Sequence, residues 1–233
     1  MWAEIKFLGV WDTVAALGVP NSKIDWMLDR VIPHGFHDYK LSDSVLNAYH
    51  AVAIDDRRKA FHPILFNPLD SSGQDNQKPK QTLKQVWFMG MHTDVGGGYD
   101  QKFLSDIPLE WMVQNAVKHG LLLYNDPRNK FSGNCDPHQD GHMHNSRDNL
   151  WKKAAFKKKE REWRFTPEKP TIHESVTLRT ASIDNERKGG YNPWIKSLDP
   201  NVEPWISSKD IVKDSMFNKL DPDTLALLSK WRK

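Results

Sequence analysis

Residues 83–98, LKQVWFMGMHTDVGGG, decide the fold class. Val86, Trp87, Phe88 and Met89 form an unbroken apolar run of strand length, and the run leads through His92, Thr93 and Asp94 into Gly96, Gly97 and Gly98. Such a run suits a strand from Leu83 to Met91 that is buried on both faces, as in parallel sheets. It stops where the glycines begin.

Downstream, Ser105 opens a helix whose Leu109, Met112, Val113, Ala116 and Val117 form one stripe, with Pro108 in the first turn and Gly120 as the stop signal. Upstream, Glu4 to Val14 reads as a second buried strand through Ile5, Phe7, Leu8, Val10 and Trp11. Between the two strands, the spacing of Val45, Leu46, Tyr49, Val52 and Ala53 predicts a helix capped by Ser42 and ending near Asp55, Asp56, Arg57 and Arg58. Strands separated by amphipathic helices give an α/β fold with a mostly parallel sheet and crossover helices. The polar stretch 70–81 reads as a surface loop, and no repeat or low-complexity tract interrupts the 233 residues.

Composition narrows the function classes. A chain that is 38% hydrophobic buries a sizeable core. The apolar runs are too short to span a membrane, and the start lacks a signal-peptide pattern, so a cytoplasmic origin is expected. Cys135 is the single cysteine, and it forms no internal disulfide. A net charge of +3 is too mild to point to nucleic acid, and no nucleic-acid partner is expected. The ten tryptophans supply core area or contact lipid.

Reactive groups in open α/β sheets gather beyond the carboxyl ends of the strands, where both Asp12 and His92 fall. A hydrolytic triad needs a base to take the nucleophile's proton and a carboxylate to orient that base. Asp12 followed by His92 has the α/β-hydrolase order. Spacing alone leaves open that Asp12 is a turn residue and His92 a satisfied loop histidine.

The wording of the segments carries a resemblance. FLGVWDTVAALG (7–18), AYHAVAIDDRRKAFHP (48–63), QVWFMGMHTDVGGGY (85–99), LSDIPLEWM (104–112) and IHESVTLR (172–179) resemble, in order, blocks of bacterial and fungal α/β hydrolases that include the catalytic domain of type VI secretion phospholipase effectors of the Tle-one type. The resemblance runs over about residues 5 to 195. It implies an α/β-hydrolase-like sheet, here without its N-terminal strands, over 1–195, and a helical or irregular extension of the same domain over 196–233. It also implies Asp12 and His92 as triad partners of a serine in a G-x-S-x-G elbow. No G-x-S-x-G occurs in the sequence. The expected activity is therefore phospholipid or other carboxylic-ester hydrolysis that is nearly silent in this chain alone, with no cofactor. The implied partners are a lipid ester, an upstream polypeptide carrying the serine elbow, and a membrane surface, reached by type VI export.

Three further patterns have duller and sharper readings. His173, in the IHESV block, is the alternative base. Cys135, His138, His142 and His144 could ligate a transition metal or simply occupy a surface loop. Asp94 with Gly96 to Gly98 could form an anion nest or permit a tight turn beside His92. The segment 147–164, RDNLWKKAAFKKKEREWR, holds eight cationic residues against three acids. It suits a solvated helix face or, in a non-catalytic lipid- or partner-binding remnant, a contact for anionic headgroups.

Overall fold

The computed structural model describes residues 3–14, 40–68, 81–121, 136–147, 157–165, 168–181 and 190–206. Five strands form one all-parallel sheet in chain order: β1 (Leu8–Trp11), β2 (Asn47–Ala53), β3 (Thr82–Phe88), β4 (Thr171–His173) and β5 (Asn201–Glu203). The helices are α1 (His92–Gly96), α2 (Phe103–Lys118) and α3 (Glu174–Ala181), with 3-10 turns at Lys59–Phe61 and Trp194–Leu198. The α/β class and the parallel sheet are as expected.

One element differs. Residues 47–53 form strand β2, not the middle of a helix. Ala48, Tyr49, His50, Ala51, Val52 and Ala53 are all buried, because β2 lies between β1 and β3 with both faces covered. A run that is apolar at almost every position matches helical spacing by default, so its period carries no information, and its strand length is the better guide.

β1 keeps its type but is shorter and less buried than the run Glu4 to Val14 suggests, because Leu8–Trp11 are half-buried and Ile5 is exposed. β3 ends at Phe88, and Gly90 turns the chain at φ +99°. A Cβ at Gly90 would also come within 2.5 Å of the Asp94 Cβ, so glycine is required twice over. α2 starts two residues before Ser105 and ends at Lys118, with Gly120 beyond it at φ +97°. It packs so close to β1 that a Cβ at Gly9 would stand 2.7 Å from the Met112 sulfur.

The main core joins Val52, Val86, Trp87, Phe88, Ile107, Trp111, Ile172, Val176 and Ile195, with Trp11, Trp163, Trp194 and Trp205 packed against it. Among the described residues the tryptophans thus serve packing. β5, beyond residue 195, extends the sheet by pairing Val202 with Ile172. The loop expected over 70–81 lies outside the described residues except for Gln81, as do residues 207–233.

Candidate active site

The carboxyl ends of β1, β2 and β3 converge through their register. Trp11 pairs with Ala51 and Ala53 with Phe88, so the residues just beyond each strand share one rim. Asp12 follows β1 directly with φ +41°, a left-handed conformation that aspartate tolerates better than most side chains. Its N–H donates to the Ala51 carbonyl (2.7 Å), and its Oδ1 accepts the Ala53 N–H (2.9 Å). The carboxylate is therefore fixed by sheet geometry.

His92 opens α1, and its Nδ1 stands 2.7 Å from Asp12 Oδ2. With a fully buried carboxylate as acceptor, Nδ1 carries the proton and Nε2 is left as an acceptor. The His92 side chain is 30% exposed, and nothing among the described residues bonds Nε2. Asp56 Oδ2 accepts the His92 backbone N–H (3.2 Å), and the Phe61 ring meets the imidazole edge-on with centroids 5.2 Å apart. Arg58 in turn pairs with Asp56 (2.6 Å) and lies over the Phe61 ring.

Arg161 is a member of the site that the sequence reading does not single out. Its guanidinium reaches Asp12 with both terminal nitrogens, Nη1 to Oδ1 at 2.5 Å and Nη2 to Oδ2 at 2.8 Å. Burial by itself raises the Asp12 carboxyl, but the Arg161 charge and hydrogen bonds, helped by His92 and the Ala53 N–H, outweigh it and hold the group well below the usual carboxylate range. Asp12 is accordingly ionised wherever the protein is folded near neutrality.

Arg161 belongs to the segment 147–164, of which residues 157–165 are described. They form an irregular strap rather than a helix, tied to residues 57–59 by the bonds Lys59 N–H to Lys157 O and Lys159 N–H to Arg57 O. Two of its exposed cations have acid partners. Lys158 faces Glu160, which Arg57 also meets, and Lys159 faces Glu162.

His173 ends β4 inside the core, 1% exposed, stacked on Phe88 at 4.8 Å and bonded through Nδ1 to Ser175 Oγ at 2.9 Å. Burial lowers it to about 3. His144 bonds Asp94 Oδ1 through Nδ1 (2.6 Å) beneath the stacked ring of Tyr99, and His142 meets it edge-on. His138 is exposed near Asp140, and Cys135 lies outside the described residues. Among the described residues no group of three or more metal-type ligands is assembled. Asp94 accepts the N–H groups of Met91 and His144, and Gly97 and Gly98 leave α1 with φ +85° and +116°, which makes a tight turn beside His92.

Residues 1–115 match the family model described as T6SS, phospholipase effector Tle1-like, catalytic domain. Over those 115 residues the chain is similar to that family. The match spans β1, β2, β3 and α1, and hence both Asp12 and His92. That family model describes phospholipase effectors of type VI secretion, a description that implies a lipid substrate for the family. No curated protein and no solved structure gives a significant match. No helix among the described residues is long and apolar enough to cross a membrane.

Proposed function

We propose that the Tle1-like domain supplies the acid and the base of a serine carboxylic-ester hydrolase acting on phospholipid acyl esters. The observation that carries this reading is the 2.7 Å contact between the ionised, immobile Asp12 and Nδ1 of a His92 whose Nε2 has no partner among the described residues. Nε2 takes the proton of an incoming serine hydroxyl, Asp12 stabilises the imidazolium that forms, and the same proton then passes to the leaving alcohol. His92 rather than His173 is the base, because of these two His92 alone has a carboxylate partner and a partly exposed ring, whereas His173 is buried and bonded to Ser175.

The serine comes from an elbow outside these 233 residues, which hold no G-x-S-x-G. By itself the chain is then nearly inert, since acid and base have nothing to activate. The test is release of fatty acid from phospholipid vesicles by the full chain, alone and after co-expression with the coding sequence upstream of Met1. Activity should appear only in the complex, and His92→Ala should remove about 10²–10⁴-fold of it. A soluble complex containing a serine elbow yet releasing no fatty acid overturns the reading.

A further inference from the structure

A guanidinium has five N–H donors in a fixed fork. In Arg161 all five are used: Nη1 to Asp12 Oδ1 and the Ala53 carbonyl, Nη2 to Asp12 Oδ2 and the Phe61 carbonyl, and Nε to the Asp56 carbonyl. The side chain is 1% exposed. A buried cation this well satisfied is rigid, and so are the groups it holds.

Those groups are the ones that touch His92. Asp12 receives its Nδ1–H, Asp56 receives its backbone N–H, and Phe61 packs against its ring. Arg161 bonds each of these three residues and, with all five donors engaged, makes no hydrogen bond to His92 itself. It enters from the strap, which is far from β1 and α1 in sequence and is anchored beside them at residues 57–59.

We infer that Arg161 is a positioning residue, which fixes the three neighbours of His92 so that the ring is held in one orientation and one tautomer with Nε2 directed outward. Lysine could restore the charge but not the fork, because its three donors sit on one rotating ammonium and cannot meet acceptors spread over four residues. The inference rests on His92 being the base, but the measurement below needs no hydrolysis, so either can fail without the other.

The test is ¹⁵N spectroscopy of the His92 ring in the full chain at pH 8.5, with the signal assigned by its loss in His92→Ala. The parent chain should show a single Nδ1–H tautomer. Arg161→Gln should add a second signal set from the Nε2–H tautomer, and Arg161→Lys a weaker one. If Arg161→Gln does not fold, Arg161→Lys, which leaves Asp12 a counter-charge, carries the test. A folded variant of either kind with the parent's single tautomer overturns the proposal. In the reconstituted hydrolase the same variants should lose kcat while KM stays within about twofold, the pattern of a lost transition-state interaction. A loss confined to KM also overturns it.

Discussion

Two buried aspartates on this rim each hold a histidine by Nδ1, and they hold it differently. Asp12 meets His92 at 2.7 Å and Asp94 meets His144 at 2.6 Å, with both rings about one-quarter to one-third exposed. Asp12 is balanced by the full charge of Arg161, whereas the other described partners of Asp94 are the N–H groups of Met91 and His144. Tyr99 covers one face of His144 by stacking at 3.7 Å, while Phe61 only touches His92 edge-on. The contrast separates two jobs for the same pair of side chains. Asp94 pins the segment 136–147 onto α1, the turn that presents His92, and Asp12 holds the presented ring.

Removing the charge of Asp12 should be the most damaging single change to stability. Asn tolerates the positive φ and keeps the shape, so Asp12→Asn reports the lost charge against a buried guanidinium, about 3–5 kcal/mol. Asp94→Asn strands no buried cation and should cost about 1–3 kcal/mol. Denaturant unfolding measures both, and Asp12→Asn combined with Arg161→Gln should recover part of the loss because the two sites couple. Equal costs for Asp12→Asn and Asp94→Asn would erase the distinction between the pairs.

How far these roles were legible in sequence depends on where the partners lie along the chain. β1, β3 and α2 announce themselves through apolar runs, and the strand-end positions of Asp12 and His92 follow from them. β2 was misread because a doubly buried strand has no polar face to set its period, and with it went Asp55 and Asp56, which seemed to end a helix and in fact stand on the rim. Arg161 was hidden for another reason. It is 149 positions from Asp12 and sits among lysines, so neither composition nor local spacing separates the one buried cation from its exposed neighbours. Only the tertiary path of the strap does that.

The core histidines give a smaller effect that sharpens the contrast between rim and interior. Burial lowers His50 to about 4 and His173 to about 3, while the unfolded chain protonates each near its ordinary value of about 6.5. The unfolded state therefore binds more protons as pH falls below 6.5, and these two groups lose stability on acidification. Asp55 opposes them. Burial raises it to about 6 against the Gly90 N–H and the Tyr191 hydroxyl, so between about pH 6 and 4 the folded state keeps a proton that the unfolded state releases. For these three groups, two protons against one leave a net slope of about 1.4 kcal/mol per pH unit, falling toward acid. Unfolding midpoints at pH 7, 6 and 5 measure the slope, and His173→Leu should lower it by about 1.4 kcal/mol per pH unit. A slope unchanged by this substitution would mean that the acid sensitivity does not come from His173.

The smallest effect lies within the strap, where one face is buried and the other wet. The exposed pairs Lys158 with Glu160 (2.8 Å) and Lys159 with Glu162 (3.0 Å) are each worth about 0–1 kcal/mol, because solvent screens them and long side chains must be ordered to form them. Replacing Lys157, Lys158 and Lys159 together by Gln should therefore change stability by less than about 1 kcal/mol, although Arg161 two residues on is buried against Asp12. The same triple variant addresses lipid. Lys158 and Lys159 already face acids, so their attraction for an anionic surface is reduced, and sedimentation with anionic vesicles should differ little between the variant and the parent chain. Strong parent binding that the triple variant abolishes, and that His92→Ala leaves intact, would instead make the wet face a membrane contact and give the strap two functions, one on each side of Arg161.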